Sequence, residues 1–378
     1  MDKEVGEVNW LDLPFHVMSL ILLKLVYVKD YIRFGAVCQS WHSIYTHNRD
    51  DYIRHLPHQL PVLIVTTEAE KHIRHWQTRS YYDLSENRVC KFPLSVPHCD
   101  YFHSFFSSEG WLIRDEGQYV SLFNPFLSVD NVIMLPSLED EDDEMGDDKW
   151  LGKAALSANP ALNPNYVLMA VCFGNCWKAA FYKPGNPRWT SLLDCEEGDF
   201  IVDVIYSGYQ FYAMTTDGSI WAYDLSSSIP NVSKVAPCID QTERIGDCLR
   251  YYLVESLGEL LGVKRNWSSK DSPYTLNFQV FRLDQNMFKW IETKSLSGRS
   301  LFVGNNTSMS IMASDFPRCK PNCIYFTHEG RNHEPFEEHS HDMGVYNLED
   351  GSIEPHYLME SIKLNYPAPM WIEPTFTK

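Results

Sequence analysis

From Pro61 to the C-terminus the chain is written in short apolar runs, alternating or rich in aromatics and broken by Gly, Pro, Asn and Asp, while long amphipathic helical patterns are scarce. Six times an aromatic residue followed by a polar or turn residue closes such a run: Tyr82-Asp83, Phe123-Asn124, Tyr182-Lys183, Tyr223-Asp224, Phe281-Arg282 and Tyr346-Asn347. The spacings are 41, 59, 41, 58 and 65 residues, and each closure is soon followed by another apolar strand. Propeller repeats run at about 40 to 50 residues each. The short intervals therefore fit one four-stranded blade, and the long ones a blade with an insertion or a further hidden blade. Six blades is the first expectation, and seven stays open. A two-sheet sandwich would be overfilled by roughly 300 residues of strand. Local signals agree: IWAYDL follows the turn Asp217-Gly218, and FQVFRL turns at Asp284-Gln285-Asn286 into MFKWIE as an alternating hairpin.

The N-terminus has another texture. Trp10 to Tyr45 reads WLDLPFHVMSLILLKLVYVKDYIRFGAVCQSWHSIY. Asp12-Leu13-Pro14 sets up a helix start with Pro14 in the first turn, where a missing N–H costs nothing. Val17, Leu20, Ile21 and Leu25 recur at helical spacing and predict one buried stripe, with Met18, Leu22 and Leu23 outside it. A second helix is predicted to open at Asp30 as N-cap and to carry Ile32, Val37, Trp41 and Ile44. Two short helices hold more apolar surface than so small a unit can hide in itself, so the excess is expected to face another surface.

The order Leu13-Pro14, Leu20-Ile21, Leu25, Asp30, Ile32, Val37-Cys38 and Trp41 resembles the F-box, the motif that binds the small Skp-type adaptor of SCF ubiquitin ligases. The match covers about forty residues, with Gln39 standing where the family often has a basic residue. The resemblance implies an adaptor-docking surface formed or supported by Leu13, Pro14, Leu20, Ile21, Leu25, Val37, Cys38 and Trp41. A second resemblance lies near the C-terminus. LSGRSLFVGNNTSMSIMASDFPRCKPNCIYFTHEG, then DMGVYNLEDGSI and PAPMWIEP, is similar to the plant family called domain of unknown function 295, which commonly sits behind an F-box. It implies a plant F-box protein with a propeller-like, kelch-resembling receptor domain.

Charge and motifs narrow the classes further. The formal net charge is −18, whereas a nucleic-acid grip needs a basic track along the phosphates. Eight of the acidic groups lie in EDEDDEMGDD, Glu139 to Asp148, and without them the balance is −10. That run reads as a solvated loop over 139–149, since it lacks the spaced ligands and central glycine of a calcium loop. The acidic residues Asp2, Glu4 and Glu7, and the Ser19 and Lys24 that interrupt the apolar run Val17 to Val28, argue against a signal peptide. A membrane-spanning helix of about 20 apolar residues is not expected.

None of the ten cysteines falls in a Cys-x-x-Cys pair. Zinc on Cys319, Cys323 and two of His333, His339 and His341 is chemically reasonable. The strand CIYF, however, puts Cys323 more naturally into a core, and the cysteines read as reduced, buried thiols. The sequons at Asn231, Asn266, Asn305 and Asn306 then carry no sugar. No nucleophile elbow, phosphate loop, dinucleotide fingerprint or His-Glu-x-x-His motif is present. Asp203, Asp217 and Glu255 are conceivable dispersed carboxylates, each better read as turn or surface chemistry.

The expected protein is mainly β with an N-terminal α module: an F-box over residues 8–50 and a β-propeller-like recognition domain over 51–378. Its expected function is that of a non-catalytic substrate-recognition subunit of an SCF-type ubiquitin ligase. It would bind a Skp-type adaptor, through it cullin, and an unknown target protein, in the nucleus or cytoplasm, with no cofactor, metal, nucleic acid or membrane partner. The alternative is a non-degradative scaffold whose F-box is uncoupled from cullin. Trp267 with Lys264 and Arg265, or Arg331 and His333, are conceivable loop contacts to the target.

Overall fold

The computed structural model of the chain describes residues 10, 13–54, 59–65, 78–95, 105–115, 119–126, 132–138, 150–173, 178–192, 200–227, 229–239, 249–268, 274–328, 342–355 and 369–375. The acidic run 139–149, Asp12, Cys176, Arg331, His333, His339 and His341 lie outside the described residues. The chain divides into two compact units, Met1–Gln59 with Pro374–Lys378, and Leu60–Glu373. The smaller is helical: α1 spans Phe15–Leu22, α2 Val28–Gly35 and α3 Gln39–Arg54.

The larger unit is a six-bladed β-propeller. Blade one holds β1 (Val62–Val65), β2 (Thr78–Asp83) and β3 (Arg88–Ser95); blade two holds β4 (Phe105–Ser108), β5 (Trp111–Asp115), β6 (Val120–Phe123) and β7 (Ile133–Met134). Blade three is β8 (Trp150–Leu156), β9 (Leu168–Phe173), β10 (Lys178–Tyr182) and β11 (Thr190–Ser191). Blade four is β12 (Ile201–Ser207), β13 (Gln210–Thr215), β14 (Ile220–Asp224) and β15 (Asn231–Ala236). Blade five is β16 (Leu249–Ser256), β17 (Glu259–Trp267), β18 (Thr275–Asp284) and β19 (Lys289–Thr293).

Blade six departs from this order. Its strands are β20 (Arg299–Gly304), β21 (Thr307–Met312), β22 (Cys323–Phe326), β23 (Gly344–Asn347) and β24 (Ile353–Glu354), arranged β21-β20-β22-β23-β24. The chain enters on the second position, folds back to lay β21 along the axis, and returns to pair β22 parallel to β20. The last strand, β25 (Met370–Ile372), then joins β1 as the inner strand of blade one, with Val62 opposite Ile372. Blade one is thus built from segments far apart in sequence, and this pairing ties the first and last parts of the ring together.

The near-continuous burial along these strands follows from face-to-face stacking of the blades, which removes both faces of each sheet from water. In β9, Leu168, Ala170 and Cys172 pack toward blade two, while Met169 and Val171 pack toward blade four. Likewise in β16 Tyr251 and Leu253 face blade four, and Tyr252 and Val254 face blade six. Each fully buried Leu, Val or Phe in these layers contributes about 1.5–3 kcal/mol.

The aromatic closures locate the blades. Tyr82, Phe123, Tyr182, Tyr223 and Phe281 all lie on the third strand from the axis. After most of them a side chain folds the backbone into the fourth strand: Asp83 accepts from the Ser85 and Glu86 amides, Asn124 from Phe126, and Asp224 from Ser226. Blade five delays that turn to Asp284, which accepts from Asn286 and Met287. Such short carboxylate and amide side chains cap turns because they mimic a backbone acceptor. Tyr346 stands on the fourth strand instead, because blade six has one strand more.

Candidate functional site

The helical module carries the candidate site. Its interior is Met18 and Leu22 from α1, Tyr31 and Phe34 from α2, and Ile44 and Tyr52 from α3, with Leu13, Leu25, Trp41 and Tyr45 packed against them. Tyr31 and Tyr52 stack with ring centroids 3.8 Å apart, and the Phe34 and Trp41 rings lie 4.4 Å apart. Gly35 is required by close approach, since a Cβ there would meet the Tyr45 ring at 2.7 Å.

Long-range hydrogen bonds fix the links between helices. Gln59 acts as a two-sided clip: its Nε2 donates to the Val26 carbonyl at 2.9 Å, and its Oε1 accepts from the Val28 amide at 3.0 Å. The Tyr52 hydroxyl donates to the Leu25 carbonyl at 3.0 Å, and the Tyr31 hydroxyl to that of Tyr45 at 2.7 Å. Asn48 Nδ2 reaches Ser19 Oγ and the Ile44 carbonyl, tying α1 to α3. Buried polar groups this well satisfied hold one packing arrangement.

Several sequence expectations need correction. Three helices replace the expected two, because the chain breaks at Ala36 to Cys38 before α3. Pro14 stands one place before the first turn, as the N-cap of α1, with its carbonyl accepting from Val17 and Met18. The N-cap of α2 is Tyr27, and Asp30 sits inside the first turn paired to Arg33 at 3.1 Å. The buried stripe of α1 runs through Met18 and Leu22, while Leu20 and Ile21 point outward. A helix apolar on every side has no preferred phase of its own. Tyr31, Phe34, Ile44 and Tyr52 choose which side is buried.

The eight named residues therefore divide. Leu20 is 59% exposed and Val37 56%, with Ile21 and Pro14 also exposed, so these four lie on the surface of the module. Leu13, Leu25 and Trp41 are half-buried against the core and support that surface from beneath. Cys38 is half-buried at the head of α3, where its carbonyl accepts from the His42 amide. Phe15, Leu23, Val26 and Ile32 add further exposed apolar area that the sequence reading left out of the site. Exposed apolar surface of this extent is what makes the module the candidate interaction site.

In the propeller, two of the conceivable target contacts on β17, Lys264 and Arg265, are interior, while Trp267 is half-buried with its ring centroid 5.1 Å from the Arg265 guanidinium. Arg265 is completely buried: it donates to Thr275, the Tyr252 hydroxyl, the Thr327 carbonyl and Asp342, and its guanidinium lies 4.7 Å from the Phe326 ring centroid. Lys264 is buried as well. Asp203 is neither turn nor surface, for it lies buried 3.0 Å from Lys153 Nζ. Asp217 is a turn group; burial pushes its carboxyl up, but donation from Thr215 Oγ1, the Ser219 amide and Ser219 Oγ outweighs this and holds it below the usual range. Glu255 accepts from the Gly258 amide in a hairpin.

Cys319 and Cys323 are both buried, and burial pushes both thiols up, that of Cys323 to about 11. Protonated thiols are poor metal ligands. Among the described residues no group of three metal-ligating side chains comes together. No helix among them is long and apolar enough to cross a membrane.

Comparison with known proteins gives the family. The profile of the KIB1-4 β-propeller family matches residues 81–347, well over half of the chain. In Arabidopsis thaliana, F-box protein SKIP23 is 24% identical over 97% of this chain and 96% of its own length. F-box protein At2g26160 from the same plant is 23% identical over 84% of this chain and 95% of its own, and F-box protein At4g35733 is 22% identical over 91% and 93%. The designation shared by these relatives agrees with the order of a helical module followed by a propeller. The profile spans the blades from β2 to β23, and the chain belongs to the KIB1-4 β-propeller family.

Proposed function

We propose that the protein is the substrate-recognition subunit of an SCF-type ubiquitin ligase. The observation that carries this is the division of labour in the helical module. Met18, Leu22, Tyr31, Phe34, Ile44 and Tyr52 complete an interior without Leu20, Ile21 and Val37, which remain free to enter a Skp-type adaptor. Docking such apolar side chains gives binding energy through desolvation, with the large anchors dominating. The propeller would hold the target protein, and cullin would join through the adaptor. The chain itself forms and breaks no bond. It raises the effective concentration of target lysines near an activated ubiquitin. This reading places the protein in the nucleus or cytoplasm, where that machinery works.

The test is co-expression of the full chain with a plant Skp-type adaptor, followed by size-exclusion chromatography. A stoichiometric complex is expected, lost with Leu20→Asp/Val37→Asp and with Leu13→Ala/Pro14→Ala. Well-folded protein that elutes alone would overturn the reading. An adaptor complex that fails to recruit cullin would instead identify a non-degradative scaffold.

A further inference from the structure

The helical unit is assembled from both ends of the chain. Met1–Gln59 forms one compact unit with Pro374–Lys378, although the whole propeller, Leu60–Glu373, lies between the two segments in sequence. Both connections to the ring are short. Leu60 and Pro61 lead from Gln59 into β1, and Glu373 alone stands between the end of β25 and Pro374. The two strands so reached are paired with each other: Val62 lies opposite Ile372, Leu63 opposite Trp371 and Ile64 opposite Met370. The strand that closes the ring therefore continues directly into the helical unit, beside the strand that leaves it.

Each side of this junction is held by an amide side chain. On the helical side Gln59 is 3% exposed and grips the Val26 carbonyl and the Val28 amide between α1 and α2. On the ring side Trp371 and Ile372 are fully buried, and Asn306 binds both backbone groups of Trp371. Closure itself is slight in extent, since β25 has three residues and three paired positions on β1. A short strand near a chain end is an element that opens locally while the rest of the fold stays intact. Such an opening draws the following segment with it, because the one intervening residue spans only about 3.6 Å.

We infer that ring closure and the helical module are interlocked: opening of β25 strips the segment that starts at Pro374 from the helical unit, so a partner that binds the complete unit holds the ring shut. The partner is the Skp-type adaptor, and to that extent the inference rests on the receptor reading above. By linkage the adaptor slows the opening as far as it prefers the complete unit, and a closed ring favours adaptor binding by the same factor. The receptor is then firmest when it is loaded on the ligase, which is when it has a target to hold.

Hydrogen exchange of the backbone amides in Met370–Ile372, followed by mass spectrometry, reads the opening. The full chain is compared with a chain ending at Glu373, and with a full-length variant carrying about six Gly and Ser residues between Glu373 and Pro374, a flexible spacer that keeps both segments and removes the short link. Without adaptor, both variants should exchange β25 at least threefold faster than the wild type, while β13 in blade four keeps its rate. Saturating adaptor should slow β25 exchange at least threefold in the wild type and leave it unchanged in the spacer variant. Unaltered β25 exchange in the free variants would overturn the inference, as would wild-type β25 indifferent to bound adaptor. Protection that persists across the spacer would also overturn it, by showing that the adaptor shields β25 directly. Equal slowing in β13 would do so by showing that the whole ring is stabilised. Adaptor co-elution on the same preparations separates these outcomes from failure of the receptor reading: if the adaptor does not bind, exchange in the free variants still decides the interlock.

Discussion

Lys153 Nζ lies 3.0 Å from Asp203 Oδ1, both side chains buried, on the inner strands of neighbouring blades three and four. The other oxygen of Asp203 accepts from the Leu253 amide of blade five and from Ser308 Oγ of blade six, each at 2.9 Å. One carboxylate thus ties four blades together at the axis. Asp203→Ala takes this carboxylate from a buried ammonium, and loss of one partner of such a pair costs about 3–5 kcal/mol. Chemical denaturation should show that loss. Lys153→Met/Asp203→Leu, which removes both charges, should recover part of it.

Closure of the ring rests on a second polar clamp. Asn306 Nδ2 donates to the Trp371 carbonyl at 2.6 Å, and its Oδ1 accepts from the Trp371 amide at 3.2 Å. The Phe302 and Trp371 rings meet edge to face at 5.0 Å. Asn306→Ala leaves two buried backbone groups without these partners, at about 1–3 kcal/mol each. Limited proteolysis should release the C-terminal strand β25 from this variant before any other segment is cut.

The helical module should lose stability in alkali. Burial raises the Tyr31 hydroxyl above its ordinary value, with Tyr45 adding to the effect, and burial raises that of Tyr52, with Tyr31 adding. The fold favours the neutral phenols, so their contribution is fully present below the unfolded tyrosine pKa of about 10 and declines as pH rises beyond it. Helical circular dichroism followed from pH 8 to 12 should fall across that window. Tyr52→Phe, which cannot ionise, should move the fall to higher pH.

Thiol reactivity distinguishes a packed pair from an available one. The thiolate is the reacting form, and burial keeps Cys319 and Cys323 protonated well above neutrality. At pH 8 iodoacetamide should leave both unmodified in the native protein and label both once guanidinium unfolds it, as peptide mapping would report. Labelling of either in the native state would show that this part of blade six opens.

Much of the propeller was legible because its turns are local chemistry. The aromatic closures marked the third strand in five blades, and in blades one, two and four the Asp or Asn that follows turns the chain by accepting from amides two or three residues on. Their spacing wandered between 41 and 65 residues because insertions between strands vary in length. A steadier repeat lies in Ser108, Ser157, Ser207 and Ser256, at intervals of 49, 50 and 49, where each serine ends or follows an inner strand. Ser108 Oγ accepts from the Leu156 amide, and Ser157 Oγ from that of Val167. One small polar residue per blade is too slight a signal to stand out among so many serines.

The sequence by itself determined the class of each unit: short strands with encoded turns in the larger, and helices with more apolar surface than they can bury in the smaller. It also carried the linear order of Leu13, Pro14, Val37, Cys38 and Trp41 on which the proposed adaptor contact rests. Only the tertiary structure decided which side of α1 is hidden, that Arg265 and Lys264 are interior, and that Lys153 meets Asp203. Those choices depend on partners far along the chain, and side-chain chemistry alone does not say which distant groups will share a low-dielectric interior. Blade six shows the same limit: its strands are visible in the sequence, but their order was settled by the need to lay β21 along the axis and leave a place beside it for β25.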